Sequence, residues 1–323
     1  MKKTIISLIL INIFFILIFI VGITNSLRCT NIGVKIFDDL LGFSGVEKEC
    51  KTEFPENFGI KKMIAHEKKA LLVREVRFGF KKADLQKKSK VNCPKNSDII
   101  IILGQSNAAN NVLSKITKSN KDVNFFNNKC YKVTEPILGA TASYQSITSS
   151  LSSKLKNDKP IIFINNSVSG SSILDWSSNE TGLSSYVNKN LNNVLKENNL
   201  KYIIWIQGES DSSNLTIDYI KHFEIMKNKI LENINPKKIM GYKFIISQTS
   251  ICGLDNKSNL NLIEQQKKLG TKFSNVIVVK ITDSLDNNYR YDGCHLNTFG
   301  VEEVTNEFSK IINDDYINDS LKY

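Results

Sequence analysis

Asp98-Ile99-Ile100-Ile101-Ile102-Leu103-Gly104-Gln105-Ser106-Asn107 is the stretch on which the fold turns. Ile99–Leu103 is too short for an ordinary helix and is apolar without alternation. That is the pattern of a strand buried on both faces. It stops at a glycine and gives way to polar residues. The same pattern recurs at Ile161–Asn165, Tyr202–Ile206, Phe244–Ser247 and Val276–Val279, with helix-length segments such as Leu183–Asn198 and Tyr219–Asn233 between. Strands alternating with helices predict an α/β fold in three layers, a parallel sheet covered on both faces. Any site then lies at the carboxyl ends of the strands.

Four polar blocks fall at such ends. Gly104-Gln105-Ser106-Asn107 precedes a helix-like Ala108–Thr117, so Ser106 would sit at a helix N-terminus, where the dipole favours developing negative charge. As a plain N-cap the same serine would carry no chemistry. In Asp292-Gly293-Cys294-His295 an acid stands three residues before a histidine. One loop could therefore supply a general base and the carboxylate that orients it. The chain has 3 histidines. His66 lies in a basic segment and His222 in a predicted helix beside Lys221 and Phe223, positions suited to surface or packing roles.

The third block, Gln207-Gly208-Glu209-Ser210-Asp211, ends the Tyr202–Ile206 strand. Glu209 and Asp211 diverge there, so they are expected to bond local backbone and neighbouring loops rather than act as a glycosidase pair. The fourth, Asn166-Ser167-Val168-Ser169-Gly170-Ser171-Ser172, contains a glycine that would let backbone N–H approach a ligand. Trp176 follows it, a residue expected to pack in the core although its face would suit a sugar. No Gly-x-Ser-x-Gly elbow and no His-Glu-x-x-His occur, which disfavours an α/β-hydrolase and a zinc hydrolase. No cofactor or metal is implied.

Together and in this order the blocks resemble the SGNH hydrolase superfamily, in its sialate O-acetylesterase-like, carbohydrate acetylesterase branch. The resemblance spans about residues 97–310 and rests on Gly104–Asn107, Ser169-Gly170-Ser171 with Trp176, Trp205-x-Gln207-Gly208-Glu209-Ser210-Asp211, and Asp292-x-x-His295. It implies a flavodoxin-like sheet and a serine esterase acting on acetylated carbohydrate. By resemblance Ser106 is the nucleophile, His295 and Asp292 complete the triad, and the oxyanion hole combines the N–H groups of Ser106 and Gly170 with the Gln207 side chain. The chain departs from the superfamily at Ser210, where an Asn is usual, and from the branch at Ser169, where a Gly-Gly pair is common. A carbohydrate O-acetyltransferase with the same triad, or a catalytically silent carbohydrate-binding module on the same fold, are the competing readings.

The N-terminal part reads differently. Lys2 and Lys3 precede Thr4–Ile23, whose only polar members are Thr4, Ser7 and Asn12. A helix of that length spans about 30 Å, the thickness of a bilayer core. An uncleaved single-pass membrane anchor is expected, with a cleaved signal peptide and secretion as the alternative. Either way the catalytic part lies on the extracytoplasmic side. Between Lys61 and Lys90 stand eleven Lys or Arg against three acids, and much of the net charge of +11 sits there. No interleaving of basic and aromatic residues marks a nucleic-acid surface, so no nucleic-acid partner is expected. Within this segment Lys61–Glu75 suggests a helix and Val76–Phe80 a strand-like alternation. The division is a membrane anchor at 1–28, a basic membrane-proximal region at 29–95, the hydrolase domain at 96–315 and a tail at 316–323.

The 6 cysteines, Cys29, Cys50, Cys93, Cys130, Cys252 and Cys294, all follow the anchor, without zinc spacing. Cys252 follows the Phe244–Ser247 strand and Cys294 adjoins His295, so a Cys252–Cys294 bridge at the carboxyl edge of the sheet is expected to pin the His295 loop.

Overall fold

Strand β2 (Asp98–Gly104) is the centre of the molecule, and Ile99 through Leu103 are fully buried. The computed structural model describes residues 85–320, apart from 86, 116–120, 215, 254 and 256. The expected anchor Thr4–Ile23, the Lys61–Glu75 helix, the Val76–Phe80 alternation, His66, Cys29 and Cys50 lie outside the described residues.

Alternate residues of β2 serve opposite faces, as a strand's period of two requires. Ile99, Ile101 and Leu103 pack with α2 (Ile173–Ser177), α3 (Leu183–Val194), α4 (Tyr219–Leu231) and α5 (Leu260–Lys272). Ile100 and Ile102 pack with α1 (Thr148–Lys154) and α7 (Thr298–Ser320), through Leu151, Val301, Val304, Phe308 and Ile312. The short α6 (Ile281–Ser284) precedes that last helix. Two apolar layers around one sheet explain why the strand carries no polar alternation.

The sheet has 8 strands in the order β1-β4-β3-β5-β2-β6-β7-β8. Here β1 is Lys90–Val91, β3 Val123–Phe126, β4 Lys129–Lys132, β5 Ile161–Asn165, β6 Asn199–Ile206, β7 Lys243–Ser247 and β8 Val276–Val279. The run β5-β2-β6-β7-β8 is parallel throughout and has the flavodoxin-like order. From β2 the chain crosses first to β3, β4 and β5 on one side and later to β6 on the other, so the topological switch lies beside the carboxyl end of β2.

The sheet is mixed rather than wholly parallel, which corrects the sequence-based expectation. β3 continues it parallel to β5, but β4 and β1 run antiparallel at that edge. These strands were missed because they are short, and because their turn is Asn127-Asn128 rather than the familiar Asn-Gly. Both asparagines have positive φ, at 48° and 60°, a region asparagine tolerates better than most side chains. A Cys93–Cys130 bond ties the segment after β1 to β4.

The helix expected at Ala108–Thr117 does not form. Gln105 O accepts from both Ala108 N and Ala109 N at 3.0 Å, which makes one turn. The next donors then go elsewhere: Asn110 N–H to Thr141 O, Val112 N–H to Gln145 O and Leu113 N–H to Leu296 O, each at 3.0 Å. The backbone after Ser106 thus joins three distant loops instead of continuing its own ladder. Helix α7 runs on past residue 315, and Tyr316 meets Tyr202 edge to face with centroids 6.4 Å apart. Among the described residues no helix is long and apolar enough to cross a membrane.

Candidate active site

The carboxyl end of β2 presses against β6 so closely that only glycine fits between. Gly104 has φ +133°, and a Cβ there would lie 1.9 Å from the Ile206 carbonyl oxygen. Past this contact Gln105 N–H donates to Ile206 O at 3.0 Å, and the chain turns to present Ser106. Ser106 is 5% exposed, and among the described residues neither its N–H nor its Oγ makes a hydrogen bond. Both groups are thus free to meet a ligand, and the hydroxyl is not among the sealed side-chain atoms that lack a partner.

The next residue holds the histidine loop. Asn107 Oδ1 accepts from Leu296 N–H at 2.9 Å, and Asn107 Nδ2 donates to Cys294 O at 3.1 Å. The two residues flanking His295 are therefore gripped by the residue that follows Ser106. Arg290, buried, adds a guanidinium hydrogen bond to Cys294 O and another to Thr282 O at 2.8 Å. An antiparallel bridge between Arg290 and Leu296 closes the loop, and the Cys252–Cys294 disulfide with Gly253 N–H to Gly293 O at 3.1 Å fastens it from outside. The expected bridge is present.

Inside this loop His295 Nδ1 and Asp292 Oδ2 are 2.6 Å apart. The other carboxylate oxygen accepts the backbone N–H groups of His295 at 2.7 Å and Cys294 at 3.0 Å. Burial alone would raise the Asp292 carboxyl. The hydrogen bonds from the His295 ring and from these two N–H groups outweigh it and hold the group below the ordinary aspartate range. Ser106 and His295 share no hydrogen bond among the described residues.

The third block lies beneath the site rather than facing it. Gln207 is fully buried; its Nε2 donates to Ser171 O at 3.2 Å and to Asp211 Oδ2, while its Oε1 accepts from the Tyr219 hydroxyl at 2.8 Å. Gln207, expected to donate to an oxyanion, gives its amide hydrogens in this structure to protein acceptors. Asp211 also accepts Ile173 N–H at 2.8 Å, and Glu209 Oε1 accepts Asn107 Nδ2 at 2.7 Å. Both carboxylates bond loops and neighbouring backbone, as expected. Burial raises the Glu209 carboxyl, against which the Asn107 hydrogen bond and the Arg290 charge pull down. Gln105 Oε1 receives Ser210 N–H at 2.9 Å and so shapes the same turn. Gly208 resembles Gly104, since a Cβ on it would be 1.8 Å from Thr249 O.

Gly170 is exposed, with φ +68°, on the loop after β5. The preceding Ser169 is held through its N–H to Thr141 Oγ1 at 2.8 Å and its hydroxyl to Asn111 Oδ1. Trp176 is fully buried, donates to Ser171 Oγ at 2.8 Å and meets Trp205 edge to face at 5.2 Å, so it is a core residue. His222 pairs with Ser177 Oγ at 2.8 Å on α4, away from these loops. Asn107 and Arg290 are the members whose roles went unread. The Asn107 partners are set by tertiary structure, Asn107 and Leu296 being 189 residues apart, whereas Arg290 bonds carbonyls only 4 and 8 residues away. Among the described residues no cluster of three or more His, Cys, Asp or Glu side chains is placed to hold a metal ion.

Residues 96–313 match the family model described as carbohydrate esterase, sialic acid-specific acetylesterase. Among solved structures, a protein from Arabidopsis thaliana is similar over 68% of this chain and 98% of its own, at 20% identity and a TM-score of 0.55. NanS is similar over 71% of this chain and all of its own (100%), at 12% identity and a TM-score of 0.50. At such identities the likeness speaks for the fold alone. No curated protein matches the chain.

Proposed function

This chain belongs to the sialic acid-specific acetylesterase family of carbohydrate esterases, and on that premise we propose that it is a serine esterase removing acetyl or other short acyl groups from carbohydrate. The observation that carries the proposal is the 2.6 Å His295–Asp292 hydrogen bond, in a loop clamped by the residue next to an uncommitted Ser106.

The chemistry follows from the roles. Ser106 Oγ attacks the ester carbonyl while His295 Nε2 takes its proton, and Asp292 fixes the imidazole tautomer and stabilises the imidazolium. The oxyanion is received by the backbone N–H groups of Ser106 and Gly170. Gln207 supports that hole indirectly, because its bond to Ser171 O braces the loop carrying Gly170. Collapse breaks the bond to the sugar oxygen, which leaves with the proton from His295. Water, deprotonated by His295, then attacks the acyl-serine and releases the carboxylate and a free serine.

Disulfides persist in oxidising compartments. The bonds Cys93–Cys130 and Cys252–Cys294 therefore favour an extracytoplasmic catalytic domain, and the length and apolarity of Thr4–Ile23 are the separate ground for reading it as a membrane anchor.

A fluorophosphonate probe and an acetyl ester test the proposal together. The full-length chain should be labelled at Ser106 and should release acetate, and Ser106→Ala should abolish both with little change in melting temperature. Activity within about tenfold of wild type in that variant would remove Ser106 from the mechanism, since losing a triad serine costs orders of magnitude.

A further inference from the structure

If His295 returns its proton to the departing sugar, the sugar oxygen must come within hydrogen-bond reach of the imidazole. What lies beside that imidazole is an aromatic ring. Tyr291 stacks on His295, with centroids 5.7 Å apart and planes 22° apart, and it is 40% exposed. Both ends of the residue are fixed: its N–H bonds His295 O at 3.0 Å and its hydroxyl donates to Asn111 O at 2.8 Å. The backbone of a second exposed tyrosine is fixed by the neighbouring residue: Tyr144, 55% exposed, donates its N–H to Asn110 O at 2.9 Å. Tyr291 on Asn111 O and Tyr144 on Asn110 O are thus brought to consecutive residues, and the Tyr291 phenol is raised by burial, then by the Asp292 carboxylate and by Tyr144. The turn that delivers Tyr144 contains Ala142 at φ +69°, a conformation that residues with a Cβ rarely adopt. Such strain tends to persist where function requires it.

We propose that Tyr291 and Tyr144 form a stacking platform on the leaving-group side of His295 that takes the pyranose ring of the acylated sugar. The proposal rests on the esterase reading above and adds to it the residues that select a sugar over a simple alcohol. A pyranose offers a face of C–H groups, which suits the electron-rich, apolar face of an aromatic ring. The hydroxyl anchor on Asn111 holds the Tyr291 ring in place before the substrate arrives, so little side-chain freedom is lost on binding. Trp176, the sugar-face candidate of the sequence, is buried and unable to serve. The two tyrosines supply that surface at the site itself.

The test compares two esters on the full-length chain in detergent solution: O-acetylated N-acetylneuraminate and ethyl acetate, whose leaving alcohol has no ring to stack. Tyr144→Ala touches no group of the proposed triad. It should raise KM for the acetylated sugar about tenfold, a loss of one stacking contact, with kcat within about threefold and a smaller effect on ethyl acetate. Tyr144→Phe should restore the sugar KM, and Tyr291→Leu should raise it in the same direction. The platform is overturned if KM for the sugar stays at the wild-type value in both Tyr144→Ala and Tyr291→Leu, or if the two esters lose equally. Failure of the esterase reading looks different, because wild type would then cleave neither ester.

Discussion

Two polar loops flank Ser106, and although they look alike as sequence they are opposites as structure. The 292–295 loop is partly exposed and satisfies its carboxylate within four residues. The 207–211 turn is largely buried and satisfies its side chains across the molecule, with partners at Gln105, Asn107, Ser171 and Tyr219. Their acids move apart accordingly. Asp292 is held below the ordinary carboxyl range by its hydrogen bonds, whereas burial pushes Glu209 above it. A polar run at a strand's carboxyl end therefore has two uses. It can meet the substrate, or it can be the buried frame against which a reactive loop is set.

The largest expected effect separates the loops most sharply. Asp292→Asn keeps an acceptor for the two backbone N–H groups but reverses what the side chain offers the imidazole. kcat should fall by about 10³–10⁴ with the fold intact, as for the corresponding change in a serine-protease triad. A loss below tenfold in steady-state kinetics on an aryl acetate would remove Asp292 from the mechanism. Asn107→Ala breaks the connection between the loops. It leaves Leu296 N–H and Cys294 O without this partner, so stability should drop by about 2–3 kcal/mol. kcat should drop by about 10², the cost of a displaced catalytic group. Denaturant titration and kinetics on one preparation check both numbers.

Gln207→Ala sharpens the comparison further. As a buried strut Gln207 should cost about 1–3 kcal/mol of stability when truncated, with less than about tenfold in kcat. A loss of about 10²–10³ in kcat at unchanged stability would instead make it an oxyanion donor. The smallest effect concerns pH. A carboxyl raised in the folded state favours folding most below its unfolded value, and that contribution is lost as pH rises through the folded value. Glu209 starts from an ordinary value of 4.5 and is raised. Glu209→Gln should therefore gain melting temperature relative to wild type as pH climbs above about 4.5. Glu135, a second buried acid raised chiefly by burial, is common to both proteins and cancels. A pH-independent difference would mean that Glu209 titrates as it does in the unfolded chain.

What could be read in the sequence was whatever depends on local pattern. Ile161–Asn165 and Val276–Val279 match their strands end to end, because buried parallel strands announce themselves by uninterrupted apolar runs. Asp292 and His295 were legible for the same reason, as their contact spans three residues. The misses were long-range. Val123–Phe126 is apolar but only four residues long, and it becomes a strand through its pairing with β4 and β5. Ala108–Asn111 is helix-compatible until Thr141, Gln145 and Leu296 claim the donors around it. The Gln207 side chain is oriented by Asp211, four residues on, and by Tyr219 in the following helix.

The closeness of Asp292 to His295 along the chain also bears on how the molecule assembles. Loop-closure entropy grows with the logarithm of the separation, about 0.6 kcal/mol for each doubling. Asp292 and His295 can therefore pair as soon as their own loop forms. Ser106 must meet them across the 189 residues between Asn107 and Leu296, a contact of the slow, non-local kind. During refolding with disulfides intact, burial of Trp176 and Trp205 should precede the return of esterase activity, which waits for Asn107 to capture the histidine loop. Stopped-flow fluorescence run beside an activity assay would show that delay, and identical time courses would mean that the sheet and the site form in one step.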